Sequence, residues 1–309
     1  MLCGSQHLIG TCKRDRQTRS MTSIDINALR AWVGREQRVS DLLSPFPARA
    51  LAATLDHQRL PEVGDPLPVC WHWMYFMETP SSAGTGSDGH PRKGDFLPPV
   101  PLPRRMWASG ALNIVHPLII GSPAERISTV RSVDLKQGKS GALVFVTLCH
   151  RLQQRGRLCI SEEQNLVYRA LPTATAATAA TAAGEPAVVT ADWSRTIQPD
   201  PVLLFRFSAL TYNAHRIHYD QDYAVRQEFY PGLVVHGPLL AILLLDLFVQ
   251  ALPDASPTHF SFRAQRPTFA LGAVCLRGKR NGSNVKLWSA DHENYVGLSA
   301  TAIIGSYDR

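Results

Sequence analysis

The stretch Pro238–Leu252, PLLAILLLDLFVQAL, constrains the fold more than any other part of the chain. It is apolar on every side at helical spacing, and only Asp246 and Gln250 interrupt it. A helix that is apolar all round must be buried all round. It falls short of the roughly 20 apolar residues that a membrane span needs, so it reads as a core helix. A sheet curled round a single helix is the economical way to bury it. The sequence supplies such strands after it, at 258–270, 273–280, 284–291 and 295–304, with hairpin-turn chemistry in GKRNGS at 278–283.

The preceding half has the same ingredients. ARALAATLDH within 47–57 predicts a helix, and four strands are expected near 107–120, 125–135, 141–152 and 157–168. Residues 79–103 are rich in Pro, Gly and Ser and predict a long loop. TATAATAATAA at 173–183 is low in complexity and predicts a linker. VLLFRFSAL at 202–210 is expected to be a buried strand. The chain of 309 residues therefore divides into an extension (1–20), a first module (21–170), a linker (171–191) and a second module (192–309). Residues 1–20 are basic and without period, and Met21 is the natural start on this reading. A transit peptide is the rival reading. Thr22 or Ser23 is placed to cap a helix. The six cysteines contain no CxxC pair and read as reduced thiols in a cytoplasmic protein.

The net charge of +7 suits an anionic ligand, and the basic residues are too dispersed for a nucleic-acid reader. Several motifs fail on context. GTGSDG at 84–89 lacks the flanking strand and helix of a dinucleotide site. QGKS at 137–140 has Val133 where a phosphate loop needs Gly, and no mechanistic GxSxG elbow is present. His215 and His218 have HxxH spacing without an evident third ligand, so no metal is expected.

Two stretches point to chemistry. FSALTYNAHRIHYD at 207–220 crowds Asn213, His215, Arg216, His218 and Asp220 into eight positions. LVVHGPL at 233–239 places His236 and Gly237 at the start of the apolar helix, where unpartnered N–H groups favour negative charge and Gly admits close approach.

These stretches together resemble the MaoC-like double hot-dog hydratases and dehydratases. The family's catalytic His falls on His218 and its helix-opening Gly on Gly237. Its Asp falls on Asn213 and its Pro on Arg216. HWMYF (72–76), RRMWASG (104–110), SGALVFVTLCH (140–150) and EEQNLVYR (162–169) extend the resemblance to both halves. They are most similar to the branch acting on mesaconyl-C4-CoA. The resemblance implies an α+β fold of two hot-dog modules, each an antiparallel sheet round a central helix, with catalysis in the second. It implies a hydro-lyase adding water to an enoyl-CoA. Coenzyme A is then part of the substrate, no other cofactor is needed, and a homodimer is left open. Itaconyl-CoA hydration, 3-hydroxyacyl-thioester dehydration and acyl-CoA binding without catalysis are the alternatives.

On this reading His218, Asn213 and Gly237 are catalytic: base, water holder and oxyanion donor. Arg216, His215, Asp220, His236, Arg104 and Arg105 are expected to bind substrate. Arg216 is either a fork for a substrate carboxylate or a structural partner of Asp220 or Asp222. Arg263, Arg266, Arg277, Lys279 and Arg280 are further candidates for CoA phosphates. Trp71 or Trp107 would stack on adenine or pack in the core.

Overall fold

The computed structural model describes residues 24–138, 141–171 and 184–307. The expected extension and the Ala/Thr run lie outside the described residues. Ten strands form one antiparallel sheet: β1 Glu36–Leu42, β2 Arg104–Ile114, β3 Pro123–Gly138, β4 Gly141–Gln154, β5 Arg157–Arg169, β6 Trp193–Ile197, β7 Ser256–Ala264, β8 Val274–Asn281, β9 Asn284–Ala290 and β10 Val296–Gly305. The helices are α1 Ile26–Arg30, α2 Pro45–Thr54, α3 Pro201–Leu210, α4 Gln221–Arg226 and α5 Gly237–Ala251.

The spatial order is β1-β3-β4-β5-β2-β7-β10-β9-β8-β6. Read inward from either edge, the two sets of five strands follow one pattern: first, third, fourth, fifth, second. The sets meet where their equivalent strands β2 and β7 pair antiparallel, from Ser109 opposite Arg263 to Asn113 opposite His259. This repeated topology is the double hot-dog fold.

The core helix α5 forms where its sequence demanded. Leu239 to Phe248 are all buried, and the helix packs on β6, β8, β9 and β10. Its one buried acid, Asp246, is held by Arg195 Nη1 of β6 at 2.7 Å and by His57 Nε2, just past α2, at 2.8 Å. The equivalent helix of the first set, α2, is shorter and buries Ala48, Leu51 and Ala52 while Phe46 stays exposed. Those residues join the α5 core. A separate cluster on the first set, with Val130, Val144, Val146 and Leu148, is covered by Leu29 of α1 and by Phe96 and Val100 of the Pro-rich loop.

One expectation changes. Residues 202–210 form helix α3, not a strand. Asp200 caps it, its side chain accepting from Leu203 N at 2.7 Å, and Pro201 sits at its first turn. Leu204, Phe207 and Ser208 face inward while Val202 and Phe205 are exposed, a helical periodicity that the apolar run concealed. Asp25 caps α1, while Thr22 and Ser23 lie outside the described residues. The described end of the expected linker is packed: Pro186 bridges Tyr295 and Ala187 is buried.

Cys70, Cys149, Cys159 and Cys275 are free thiols. Among the described residues no helix is long and apolar enough to cross a membrane. Because Leu244 is fully buried at the centre of α5, Leu244→Ala is expected to cost about 2–5 kcal/mol. Urea unfolding should show this as a lower midpoint at unchanged slope.

Candidate active site

One cavity of about 590 Å³ runs between the halves, and His218, Asn213, His215 and Gly237 all lie on its wall. The local chain explains their placement. After α3 the backbone turns sharply, with Tyr212 in the left-handed region at φ 48°. Asn213 Oδ1 then accepts from His215 N at 3.1 Å, an Asx turn that sets the loop. One 3₁₀ turn, Arg216–His218, delivers His218 inward.

His218 Nδ1 lies 2.7 Å from the carbonyl oxygen of Val234. A carbonyl only accepts, so Nδ1 carries the proton and Nε2 keeps its lone pair. Val234 is itself fixed: its N–H donates to Ile217 O at 3.0 Å, and it bridges Phe269. Burial lowers the His218 pKa to about 4, so the ring is neutral across the physiological range. Its other face stacks on His236 at 3.6 Å between centroids. His236 Nε2 pairs with Ser208 Oγ at 2.8 Å.

Gly237 opens α5, where the first N–H groups have no partner within the helix. A Cβ built on Gly237 meets nothing within 4 Å, so the space beside it is open. The site thus combines a neutral base, an amide side chain and a helix N-terminus, the set needed to move a proton and hold a developing oxyanion.

The structure also separates residues that the sequence grouped together. Arg216 is not on the cavity wall. Its Nε and Nη2 bind Asp220 Oδ2 at 3.0 and 2.8 Å, and Nη1 binds Ser87 O at 3.0 Å. Asp220 in turn caps α4 through Tyr223 N. Both hold the loop together, so neither is placed to meet substrate. His236 lies behind His218 rather than on the wall. Arg104, Arg105 and Arg266 line the cavity, whereas Arg263, Arg277, Lys279 and Arg280 do not. Arg104 is buried against Glu228 and lies over the Tyr230 ring at 4.6 Å. Trp71 is core, while Trp107 lines the cavity, edge-on to Trp73 at 4.9 Å.

Sequence reasoning missed Asp88 and His90. The Pro-rich loop carries them from the first half onto the His218 loop. Arg216 N–H donates to Asp88 O at 2.9 Å, and the His90 ring lies 4.0 Å from that of His215. His90 Nδ1 is 3.0 Å from Asp88 Oδ2, and burial with the nearby Arg105 charge lowers the His90 pKa to about 4. Burial, with the His90 and His218 rings close by, likewise lowers that of His215. GTGSDG is therefore a docking turn. Gly89, at φ +89°, sits so close that a Cβ would lie 1.8 Å from Ala214 O. Asp88, His90 and His215 offer three ligand atoms within 4.8 Å, a group that leaves out His218 and so does not complete the HxxH pair. Arg105 acts on all three and Lys93 on His90, and their positive charge opposes a cation there. The only signal for this junction in the sequence was the length of the loop.

The comparisons with known proteins address this arrangement. The family model for hydroxyacyl-thioester dehydratase type 2 matches residues 70–270, which hold both the docking turn and the His218 loop. The chain belongs to that family. It is 45% identical over 276 residues to mesaconyl-C(4)-CoA hydratase of Chloroflexus aurantiacus, covering 89% of this chain and 97% of that one. It is 28% identical over 270 residues to the mitochondrial hydroxyacyl-thioester dehydratase type 2 of Schizosaccharomyces pombe, covering 75% and 86%. In fold it is similar to a MaoC-like dehydratase from Phytophthora capsici, at a TM-score of 0.64 and 12% identity over 92% and 98% of the two chains. As a member of this family it is a hydro-lyase of the hydratase and dehydratase type.

The docking turn gives a direct test. Gly89→Ala cannot keep both its backbone and the Ala214 contact. Amide exchange at Arg216 N–H is expected to speed up by about tenfold or more, while amides of α5 stay protected.

Proposed function

We propose that this enzyme hydrates mesaconyl-C4-CoA to citramalyl-CoA. One observation carries the reading. Neutral His218, its proton pinned on Nδ1, shares a cavity with the α5 N-terminus in a chain 45% identical to a hydratase of that name. The thioester oxygen meets the Gly237 N–H. His218 Nε2 takes a proton from water as the water oxygen bonds to the β-carbon. Electron density moves onto the thioester oxygen, where the helix N-terminus stabilises it. The resulting imidazolium returns a proton to the α-carbon as the enolate collapses, so no net proton is gained or lost. Asn213 cannot ionise and serves to hold the water. Hydration moves only water and protons, so the reaction calls for no redox group.

On this reading the first half is not a bystander. It lacks an Asn–His loop of its own but contributes the wall opposite His218 and the His90 turn. A dehydratase acting in reverse on a 3-hydroxyacyl thioester would use the same residues, and the Schizosaccharomyces relative keeps that reading in view.

Loss of enoyl-thioester absorbance with mesaconyl-C4-CoA tests the assignment. His218→Ala is expected to lower kcat by about 10²–10⁴-fold. Full turnover in that variant would end the assignment, and tight binding with no turnover in the wild type would make the chain a binding protein.

The pH profile offers a second check. The neutral form of His218 is the active one, and its pKa is lowered to about 4. Activity should then hold level from pH 8 to 6 and fall only as the pH drops towards 4. An acid limb centred near the ordinary imidazole value of about 6.5 would contradict this.

A further inference from the structure

Two motifs of the first half, HWMYF and EEQNLVYR, reach the cavity wall through Trp73, Tyr75, Phe76, Gln164 and Leu166, and the fold brings them together. Glu162 is buried and accepts from His72 Nε2 at 2.9 Å, Trp73 Nε1 at 2.9 Å and Gln164 Nε2 at 2.7 Å. Burial works to raise its pKa, but these donors and the nearby imidazoles hold it at about 2. It is a fixed anion inside the first half.

Strand register shows what it anchors. Gln37 of β1 faces Ser128 of β3, Ser128 faces His150 of β4, and His150 faces Glu162 of β5. Four directly opposed residues on four adjacent strands are polar. Apolar residues flank this row on the same face. Ala124, Leu152 and Ile160 on one side belong to the main core, and Val130, Leu148 and Leu166 on the other belong to the second cluster. A polar band therefore separates two hydrophobic cores where nothing in hot-dog packing requires one.

The band opens into the catalytic cavity, whose wall includes Arg126, Ser128 and His150. Its hydrogen bonds are incomplete. His150 Nδ1 is 2.7 Å from Ser128 Oγ, while its buried Nε2 makes no hydrogen bond of good geometry, with the Gln164 side chain close to the ring. The Ser128 hydroxyl, donating to Nδ1, would leave a proton on Nε2. Arg126 Nε is also buried without a partner, and Glu78 and Glu162 act on its charge without forming an ion pair with it. Its guanidinium lies over the Phe76 ring at 5.8 Å. Arg126 itself is half-buried, and it differs from the two buried arginines on this wall in having no ion pair: Arg104 meets Glu228 and Arg266 meets Asp291, although each of these also keeps a buried nitrogen without a hydrogen bond. A buried donor without an acceptor costs free energy that a ligand can recover.

We propose that Arg126 and the Nε2–H of His150 form the subsite for the free carboxylate of the acyl group. The planar fork of Arg suits a carboxylate, and His150 adds a neutral donor. Glu162, through His72, Trp73 and Gln164, is a positioning residue that keeps this end of the cavity polar. The chamber would then favour acyl groups that end in a carboxylate over those that end in hydrocarbon. This inference rests on the proposed hydration of an acyl-CoA bearing such a group. It assigns to Arg126 the role that Arg216, tied to Asp220, is not placed to fill.

The test is a selectivity ratio, kcat/KM for mesaconyl-C4-CoA over that for crotonyl-CoA, measured in wild type, Arg126→Gln, Arg126→Lys and His150→Phe. The ratio is expected to fall roughly 10- to 100-fold in Arg126→Gln. It should fall less in Arg126→Lys, and it should fall in His150→Phe, mainly through KM for the carboxylated substrate. Because crotonyl-CoA turnover is read in the same protein, a folding defect lowers both rates and leaves the ratio alone. An unchanged ratio in Arg126→Gln and His150→Phe overturns the subsite while sparing the substrate reading. Loss of the ratio in Arg105→Gln instead moves the carboxylate to Arg105. A wild-type ratio near one overturns the substrate reading and the subsite together.

Discussion

The burial of one wholly apolar helix organises the molecule. Helix α5 cannot present any face to water, so the strands of the second half must surround it. That requirement fixes where the helix begins. Its first residue, Gly237, stands at the mouth of the enclosure, where the chain enters from the short bridge at Val234. The same bridge presents the Val234 carbonyl that sets the His218 tautomer. The hydrophobic demand of the core and the electrostatic demand of the site are thus met by one stretch of seven residues, 233–239. A change that loosened α5 would disturb both Gly237 and His218.

How much of this the sequence disclosed follows physical lines. Strand β4 was legible because its side chains alternate between a buried and a part-exposed face. Helix α5 was legible because nothing but burial suits it. Helix α3 was misread: a nine-residue apolar run satisfies both a buried strand and a half-buried helix, and the Asp-Pro that starts it was the deciding signal. His218 and Gly237 could be found because they lie in local motifs. Asp88 and His90 could not, since their closeness to His215 comes from a loop crossing between halves that are adjacent only in the fold. Arg216 illustrates the converse. A residue two positions from one on the cavity wall can point away from the cavity, and an Asp four positions on was the cue.

Charge inside the fold follows a consistent rule. Asp246 meets Arg195 and His57, Arg104 meets Glu228, and Arg266 meets Asp291. Buried charge is tolerated when paired, and each pair joins elements distant in the chain. These contacts tie α5 to β6 and β2 to the segment before α5. They add specificity of arrangement to a core that hydrophobic packing alone would leave free to slide.

The pairing of β2 with β7 has a consequence of its own. Two identical subunits that met along such an edge would have to carry identical sites, since every substitution would appear twice. Covalent joining lifts that constraint. Each half can change without its counterpart changing, and a surface once obliged to serve as both catalyst and container can specialise. The shortened α2, the long loop and the polar band on one side, against the intact helix and the His218 turn on the other, are the differences that a symmetric pair could not have kept.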